Sequence, residues 1–289
     1  MPQKRPPIAA WIEAMRLRTL PVSLAGATLA IAYAVKSHSF SWAPAILCVI
    51  FAILAQIASN FANEYYDFID GLDRPGREGP RRGVTEGDIS PRAMKRATFL
   101  TIAIACLIGL AVVPFAGFWL IPVGIAVALG VYAYSAGPWP LSRHGLGEIA
   151  VIIFYGIIPV NTIVLILCGE LDSNVFLGSI SIGLLGANVL VINNYRDTDD
   201  DRRVSKRTLS VILGPKFMPV LYIINGLLGC FLMFGQWNSL GFLWIPVVFG
   251  ILFIIIAAAM TKLKGHRLTP LLGITALLMF IYSLIFLII

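Results

Sequence analysis

The chain is expected to be an all-α polytopic membrane protein with nine transmembrane helices, and three features of the sequence lead there. Hydrophobic residues make up 58% of its 289 positions and charged residues 13%, about half the roughly 25% charged of a soluble domain. The apolar residues run in continuous blocks close to the roughly 20 residues that a helix needs to cross a bilayer. They do not alternate as the strands of a barrel would. Lysine and arginine, finally, are concentrated in every other connection between the blocks.

Nine blocks can be drawn, at about 19–35, 43–62, 97–115, 118–136, 148–168, 175–193, 217–235, 240–261 and 269–288. Ahead of the first, Ile8, Trp11, Ile12 and Met15 recur at helical spacing, which predicts a short helix lying at the membrane interface. The leader lacks a cleavable signal pattern, so the first block is expected to stay as a span. With a cytoplasmic N-terminus, the inner segments are 1–18, 63–96, 137–147, 194–216 and 262–268. They hold 21 of the 22 lysines and arginines, leaving only Lys36 outside, the bias that cytoplasmic loops carry. The C-terminus then lies outside. The same bias accounts for the net charge of +7, which answers to a lipid bilayer with anionic headgroups and not to a nucleic-acid partner.

Cys48, Cys106, Cys168 and Cys230 lie one apiece in different blocks or at a block end, so no disulfide or metal pairing is expected. The outer connections are brief. The inner ones after the second and sixth blocks are long and charged, and segments of that kind commonly work as lids or binding loops. Two cytoplasmic loops capping one cavity are expected.

Those two loops begin alike: Asn63-Glu64-Tyr65-Tyr66-Asp67 and Asn193-Asn194-Tyr195-Arg196-Asp197 lie 130 residues apart, and eight of the fifteen carboxylates fall in the two places. An offset spanning four blocks puts both copies on one side of the membrane, as in a parallel repeat within a single domain over 1–289. Asn63, Asp67 and Asp70 are spaced four and three apart and share a helical face; Asp73 follows. Asn193, Asp197 and Asp201 repeat the step of four. Like charges at that spacing repel, and a divalent cation removes the conflict. Mg²⁺ takes hard oxygen ligands, often one or two carboxylates together with substrate phosphates. Asp199 and Asp200 stand beside the second face, and the candidate metal ligands on the two faces are Asn63, Asp67, Asp70, Asp73, Asp197 and Asp201, with Asp200 an extra candidate. Gln56, Ser59 and Asn60 continue the polar face into the membrane, where such groups normally look into a cavity. Basic residues follow each cluster, and guanidinium groups grip phosphate oxygens in pairs. Arg74, Arg77, Arg81 and Arg82 follow the first cluster, Arg202, Arg203, Lys206 and Arg207 the second, and Arg16 and Arg18 precede the first block; a subset is expected to meet a diphosphate, with Arg18, Arg77, Arg81, Arg82, Arg196, Lys206 and Arg207 as candidates.

At this point the sequence resembles the UbiA-type intramembrane prenyltransferases, whose hallmark is two aspartate-rich motifs on nine helices. The residues that carry the resemblance are Arg16 to Pro21, Gln56 to Asp73, Gly79 to Gly83, Tyr134 to Pro138, Gly145 to Glu148 and Asn193 to Gly214. More narrowly, they look like the branch that prenylates 1,4-dihydroxy-2-naphthoate for menaquinone synthesis. The resemblance implies a polyprenyl diphosphate donor, an aromatic acid acceptor that loses CO₂, Mg²⁺ as cofactor, and an inner-membrane enzyme whose site faces the cytoplasm. It implies catalytic roles for Asp67, Asp197, Asp201 and Tyr134, and an acceptor pocket of Gln56, Asn60, Tyr134, Ser135 and Asn193. Glu64 stands where the family usually has aspartate, and Gly71 where its first motif often ends in one, so either Asp70 or Asp73 completes the first metal site. Another quinone or lipid acceptor, such as 4-hydroxybenzoate, is the alternative. Two other classes compete: a membrane transporter with an intramembrane acidic site, and a CDP-alcohol phosphotransferase, whose signature Asp67-x-x-Asp70-Gly71 only begins.

Overall fold

In a computed structural model that describes residues 5–289, each of the nine predicted blocks holds an apolar helix of 14 residues or more. These helices are α1 (Leu20–Lys36), α2 (Trp42–Ile69), α3 (Pro91–Ala116), α4 (Leu120–Ser135), α5 (Gly147–Cys168, with a π turn at Ile152–Ile157), α6 (Ser173–Arg203), α7 (Met218–Phe231), α8 (Trp244–Lys262) and α9 (Thr269–Ile288). The described residues form no strand. Seven helical stretches are long and apolar enough to cross a membrane; α4 and the stretch holding α7 are apolar but shorter. The predicted leader helix is present at Pro7–Met15. The connection expected at 236–239 is instead part of a short helix, Phe234–Ser239.

Local chemistry sets several starts. Pro91 opens α3 behind Ser90, whose Oγ accepts the Ala93 N–H at 3.2 Å, and Asp172 caps α6 through the Val175 N–H at 2.7 Å. Proline at the first position and a small oxygen-bearing cap satisfy backbone groups that the helix leaves open. The ends of α2 and α6 matter more. They run for 28 and 31 residues, roughly two to three turns more than a bilayer needs. These extra turns carry the Asn-x-x-x-Asp phrases on helix where the predicted blocks stopped at 62 and 193, while Asp70 and Asp73 lie just past the end of α2.

Both helices end in the same hook. After α2, the Gly71 N–H donates to Phe68 O at 3.1 Å and the Leu72 N–H to Asp67 O at 2.8 Å, with Gly71 at φ +68°. After α6, the Ser205 N–H donates to Arg202 O at 3.2 Å and the Lys206 N–H to Asp201 O at 2.8 Å, with Ser205 at φ +57°. A left-handed residue just past a helix turns the chain back over the last carbonyls. Asp73, whose N–H also reaches Asp67 O at 3.1 Å, and Lys206 are thereby returned to the helix ends they have just left.

Helix α6 is the most buried of the apolar helices, packed on α7, α9 and the π turn of α5, while α1 lies between α5 and α9 and α2 against α3 and α4. A shift of 130 residues carries α1, α2 and α4 onto α5, α6 and α8, while α3 falls across α7 and the short helix after it. The second half is tied by buried hydrogen bonds: Asn188 donates to Tyr222 O at 2.9 Å, Tyr222 meets Thr275 at 2.7 Å, and Trp237 donates to Tyr282 at 2.6 Å. Apolar side chains such as Leu107, Phe118, Ile251 and Ile255 remain exposed on the outside, as a surface facing hydrocarbon requires. The π turn of α5 meets α6 backbone to backbone, and a Cβ on Gly156 would stand 2.4 Å from Ser179 O.

Two outcomes follow for stability. Gly156→Val is expected to lower the thermal midpoint of the detergent-purified protein by the equivalent of about 1–3 kcal/mol, as overpacking does, whereas Gly124→Ala, with open space around it, leaves the midpoint unchanged or slightly raised. Ser205→Gly removes a left-handed backbone penalty of about 1 kcal/mol and is expected to raise the midpoint.

Candidate active site

The extra turns of α2 present Asn63 and Asp67, both buried. The Asn63 amide donates to Asp67 Oδ2 at 3.0 Å and to Ser135 Oγ at 3.4 Å, and its Oδ1 accepts from Arg16 at 2.8 Å and Arg82 at 3.2 Å. The extra turns of α6 present Asn193, Asp197 and Asp201. Arg196 grips both oxygens of Asp197, at 2.6 and 2.9 Å, and also donates to Asn193 Oδ1 at 2.8 Å. Thr208 donates to Asp201 Oδ2 at 3.1 Å.

The two halves are joined by crossed charges. Arg77, from the loop after α2, bridges Asp73 at 2.8 Å and Asp197 of α6 at 2.9 Å. Lys206, from the hook after α6, stands 3.7 Å from Asp67 of α2. Burial pushes the Asp73 carboxyl up to about 6; Arg77 pulls it back and the neighbouring Asp67 adds to the rise. Burial works against the Lys206 ammonium, but Asp67 and Asp201 outweigh it and hold the group above its ordinary value.

This charged ring closes one end of a cavity of about 700 Å³. Arg16, Gln56, Asn60, Arg82 and Asn193 add polar groups near that end; the rest of the walls is mainly apolar and aromatic, with Phe51, Phe154 and Tyr155 among them, and the cavity reaches exposed residues of α3 and α4 such as Phe99, Leu110 and Ile125. The π turn places the successive rings of Phe154 and Tyr155 on the lining. A smaller polar cleft of about 130 Å³, lined by Asp67, Asp73 and Asp201, adjoins it. Arg77 and Lys206 line both spaces and so form the partition between the apolar and the charged compartment.

The sequence candidates divide accordingly. Gln56, Asn60, Asn63, Arg77, Arg82, Tyr134, Asn193, Asp197 and Lys206 line the main cavity; Ser135 is buried behind Asn63. Asp70 and Asp73 part company: Asp73 turns inward to Arg77 and Arg82, while Asp70 is exposed and paired with Arg143. Arg18 is exposed and outside the cavity. Its place is taken by Arg16, which ends the leader helix in a left-handed conformation, φ +51°, and so points its side chain inward. Arg81 pairs with Asp88 at 2.8 Å and lies near Glu86. Arg207 is exposed and lines neither space, and Arg196 is committed to Asp197. Phe154 and Tyr155 were not anticipated, because nothing in an apolar run marks a π turn.

Oxygen donors alone make up the acidic ring, which suits a hard cation. Asp67 Oδ1 is buried without a hydrogen-bond partner, an open ligand position of the kind a metal ion fills. Arg82 Nη1 is likewise buried and unpartnered; its Nε stands 3.1 Å from Asp73 Oδ2 without the N–H aimed at it. Among the described residues no three acidic, His or Cys side chains gather closely enough to hold a metal unaided. One or two carboxylates with phosphate oxygens is the usual arrangement for Mg²⁺.

Comparison with known proteins accords with this geometry. Residues 23–284 match the UbiA prenyltransferase family, and the chain belongs to that family. It is 36% identical over 263 residues, 88% of this chain and 83% of the relative, to a 1,4-dihydroxy-2-naphthoate octaprenyltransferase of Escherichia coli (strain K12). A protein of the same name from Mycobacterium leprae is 31% identical over 285 residues, covering 96% and 94% of the two chains. Among solved structures, a UbiA homolog from Archaeoglobus fulgidus bound to DMAPP and Mg²⁺ superposes with a TM-score of 0.69 at 15% identity, over 96% of this chain and 99% of that one. An apo UbiA homolog from Aeropyrum pernix K1 gives 0.68 at 17% identity, over 95% and 98%. Family membership makes the chain a prenyltransferase and sets aside the transporter and phosphotransferase readings.

Proposed function

We propose that the protein transfers a polyprenyl group from its diphosphate to 1,4-dihydroxy-2-naphthoate within the membrane, giving the hydroquinone form of demethylmenaquinone. The observation that carries this reading is a charged ring closing one end of a long apolar cavity, with a buried carboxylate oxygen of Asp67 left open. The names of the relatives supply the acceptor. The nine helices all cross the bilayer in this reading, with the N-terminus and both aspartate motifs on the cytoplasmic side of the inner membrane and the C-terminus outside. The bias of the lysines and arginines supports that orientation. The loops after α2 and α6 cap the site, and the correspondence of α1, α2 and α4 with α5, α6 and α8 supports a parallel repeat.

Asn63, Asp67, Asp73, Asp197 and Asp201 would hold Mg²⁺ on the diphosphate, and the metal supplies neutralisation of leaving-group charge. Asp73 completes the first half because the α2 hook returns it to Asp67, whereas Asp70 faces Arg143. Arg77, Arg82 and Lys206 meet the diphosphate once it displaces their carboxylate partners, and Arg16 joins them beside Asn63. The allylic C–O bond breaks with its electron pair leaving on the diphosphate. The ring carbon bearing the carboxylate forms the new C–C bond. Its bond to the carboxylate then breaks, CO₂ departs, and the electron pair left behind restores the aromatic ring. Tyr134, Phe154 and Tyr155 keep water from the allylic cation, whose capture by water would waste the donor. Gln56, Asn60 and Asn193 are the polar groups placed to orient the acceptor, and the prenyl tail extends toward α3 and α4.

Purified protein given a prenyl diphosphate and 1,4-dihydroxy-2-naphthoate is expected to release pyrophosphate in a Mg²⁺-dependent, EDTA-sensitive manner. It is expected to prefer that acceptor to 4-hydroxybenzoate, and absence of turnover with any aromatic acid would refute the reading. Asp67→Asn, Asp73→Asn and Asp197→Asn should each lower kcat by about a hundredfold or more, the loss of roughly 3 kcal/mol of transition-state stabilisation. Asp70→Asn should remain within a few-fold of wild type, and equal losses for Asp70 and Asp73 would undo their separation.

A further inference from the structure

We infer that Glu64 is a positioning residue, which pins the loop after α2 so that Arg82 is held over the site, and is not itself a metal ligand. The inference rests on the prenyl-transfer reading for the meaning of Arg82, but the contact stands without it. Glu64 follows Asn63 inside the first acidic phrase and is buried. One residue along a helix turns the side chain by about 100°, and Glu64 accordingly lines neither the main cavity nor the polar cleft. Its Oε1 instead accepts the Val84 N–H at 3.0 Å.

Two residues before that anchor, Arg82 donates to Asn63 Oδ1 at 3.2 Å and lies 3.1 Å from Asp73 Oδ2. Adjacent residues of one rigid helix therefore hold the loop at two adjacent points, one by its backbone and one by its guanidinium. The segment between is further fastened by a small apolar core in which Val84, Ile89 and Met94 pack on Phe61 and on Ala10 and Ala14 of the leader helix. Upstream, the Glu78 N–H donates to Asp200 Oδ2 at 3.0 Å and its Oε2 accepts the His266 N–H at 3.1 Å. Without Glu64, the stretch between Glu78 and that apolar core loses its buried polar anchor at Val84. Arg82, with its Nη1 unpartnered, would lose the fixed position from which it can receive a phosphate oxygen. A carboxylate and a carboxamide both offer the acceptor oxygen that Val84 needs, but a carboxamide is a much poorer ligand for Mg²⁺.

The test compares Glu64→Gln, Glu64→Ala and Asp67→Asn in detergent-purified protein by steady-state kinetics and by hydrogen exchange of the backbone. Glu64→Gln is expected to stay within about threefold of wild type in kcat and KM. Glu64→Ala should raise KM for the prenyl diphosphate about tenfold with kcat changed far less, and the Val84 amide should exchange at least tenfold faster. Asp67→Asn should lose turnover with Val84 exchange unchanged. Turnover in Glu64→Gln as low as in Asp67→Asn, or unaltered Val84 exchange in Glu64→Ala, would overturn the inference. If Glu64→Ala does not yield folded protein, Glu64→Met, which fills the space without an acceptor, takes its place: Val84 exchange as slow as in wild type would overturn the inference. Should wild type itself show no turnover, the prenyl-transfer reading fails, while Val84 exchange still decides what Glu64 does.

Discussion

The organisation of this protein depends on keeping Asp67, Asp73, Asp197 and Asp201 together without letting them repel. Two like charges 4 Å apart cost about 4 kcal/mol at an effective dielectric of 20, so the cluster persists only if it is neutralised. Some of the neutralising groups are local, Arg196 on Asp197 and Arg77 and Arg82 on Asp73, but two cross between the halves: Arg77 from the first loop reaches Asp197, and Lys206 from the second hook reaches Asp67. Buried pairs of this kind add little net stability, but removing one partner typically costs 3–5 kcal/mol. The crossed pairs therefore act as a register that holds α2 and α6 in one relation. A bound diphosphate with its metal would exchange one set of ionic partners for another of the same sign.

The remainder of the fold supports that arrangement unequally. Helices α6, α7 and α9 are locked by buried hydrogen bonds, Asn188 to the Tyr222 carbonyl and the Tyr222 hydroxyl to Thr275, and form a fixed frame. Helices α1 to α6 enclose the cavity, and α7 and α8 contribute none of its described lining. Rigidity on one side and space on the other suit a site that must fix a charged headgroup while accommodating a long apolar tail. The close approach of Gly156 to α6 belongs to the rigid side, and the π turn at the same place directs Phe154 and Tyr155 into the space.

Much of the site was legible in the sequence because it lies on helices. The steps of four from Asn63 to Asp67 and from Asn193 through Asp197 to Asp201 define faces wherever the helix points, and Gln56 and Asn60 extend the first face into the membrane. Residues in the loops were not legible in the same way. Arg18 and Arg16 are two positions apart, and only the left-handed turn at Arg16 decides which faces inward. Arg81 and Arg82 are neighbours, yet one pairs with Asp88 and the other with Asn63 and Asp73. Composition places a basic cluster there but does not assign its members.

The sequence by itself determined the class of protein, the number of apolar blocks, the two acidic faces and their family, because hydrophobic length and helical period are local quantities. Only the tertiary structure decided which charges meet. The hooks at Gly71 and Ser205 reverse the chain, bring Asp73 rather than Asp70 to Asp67, and carry Lys206 across to the other motif. That choice depends on where two helix ends lie relative to each other, which packing between distant segments sets and no local pattern records.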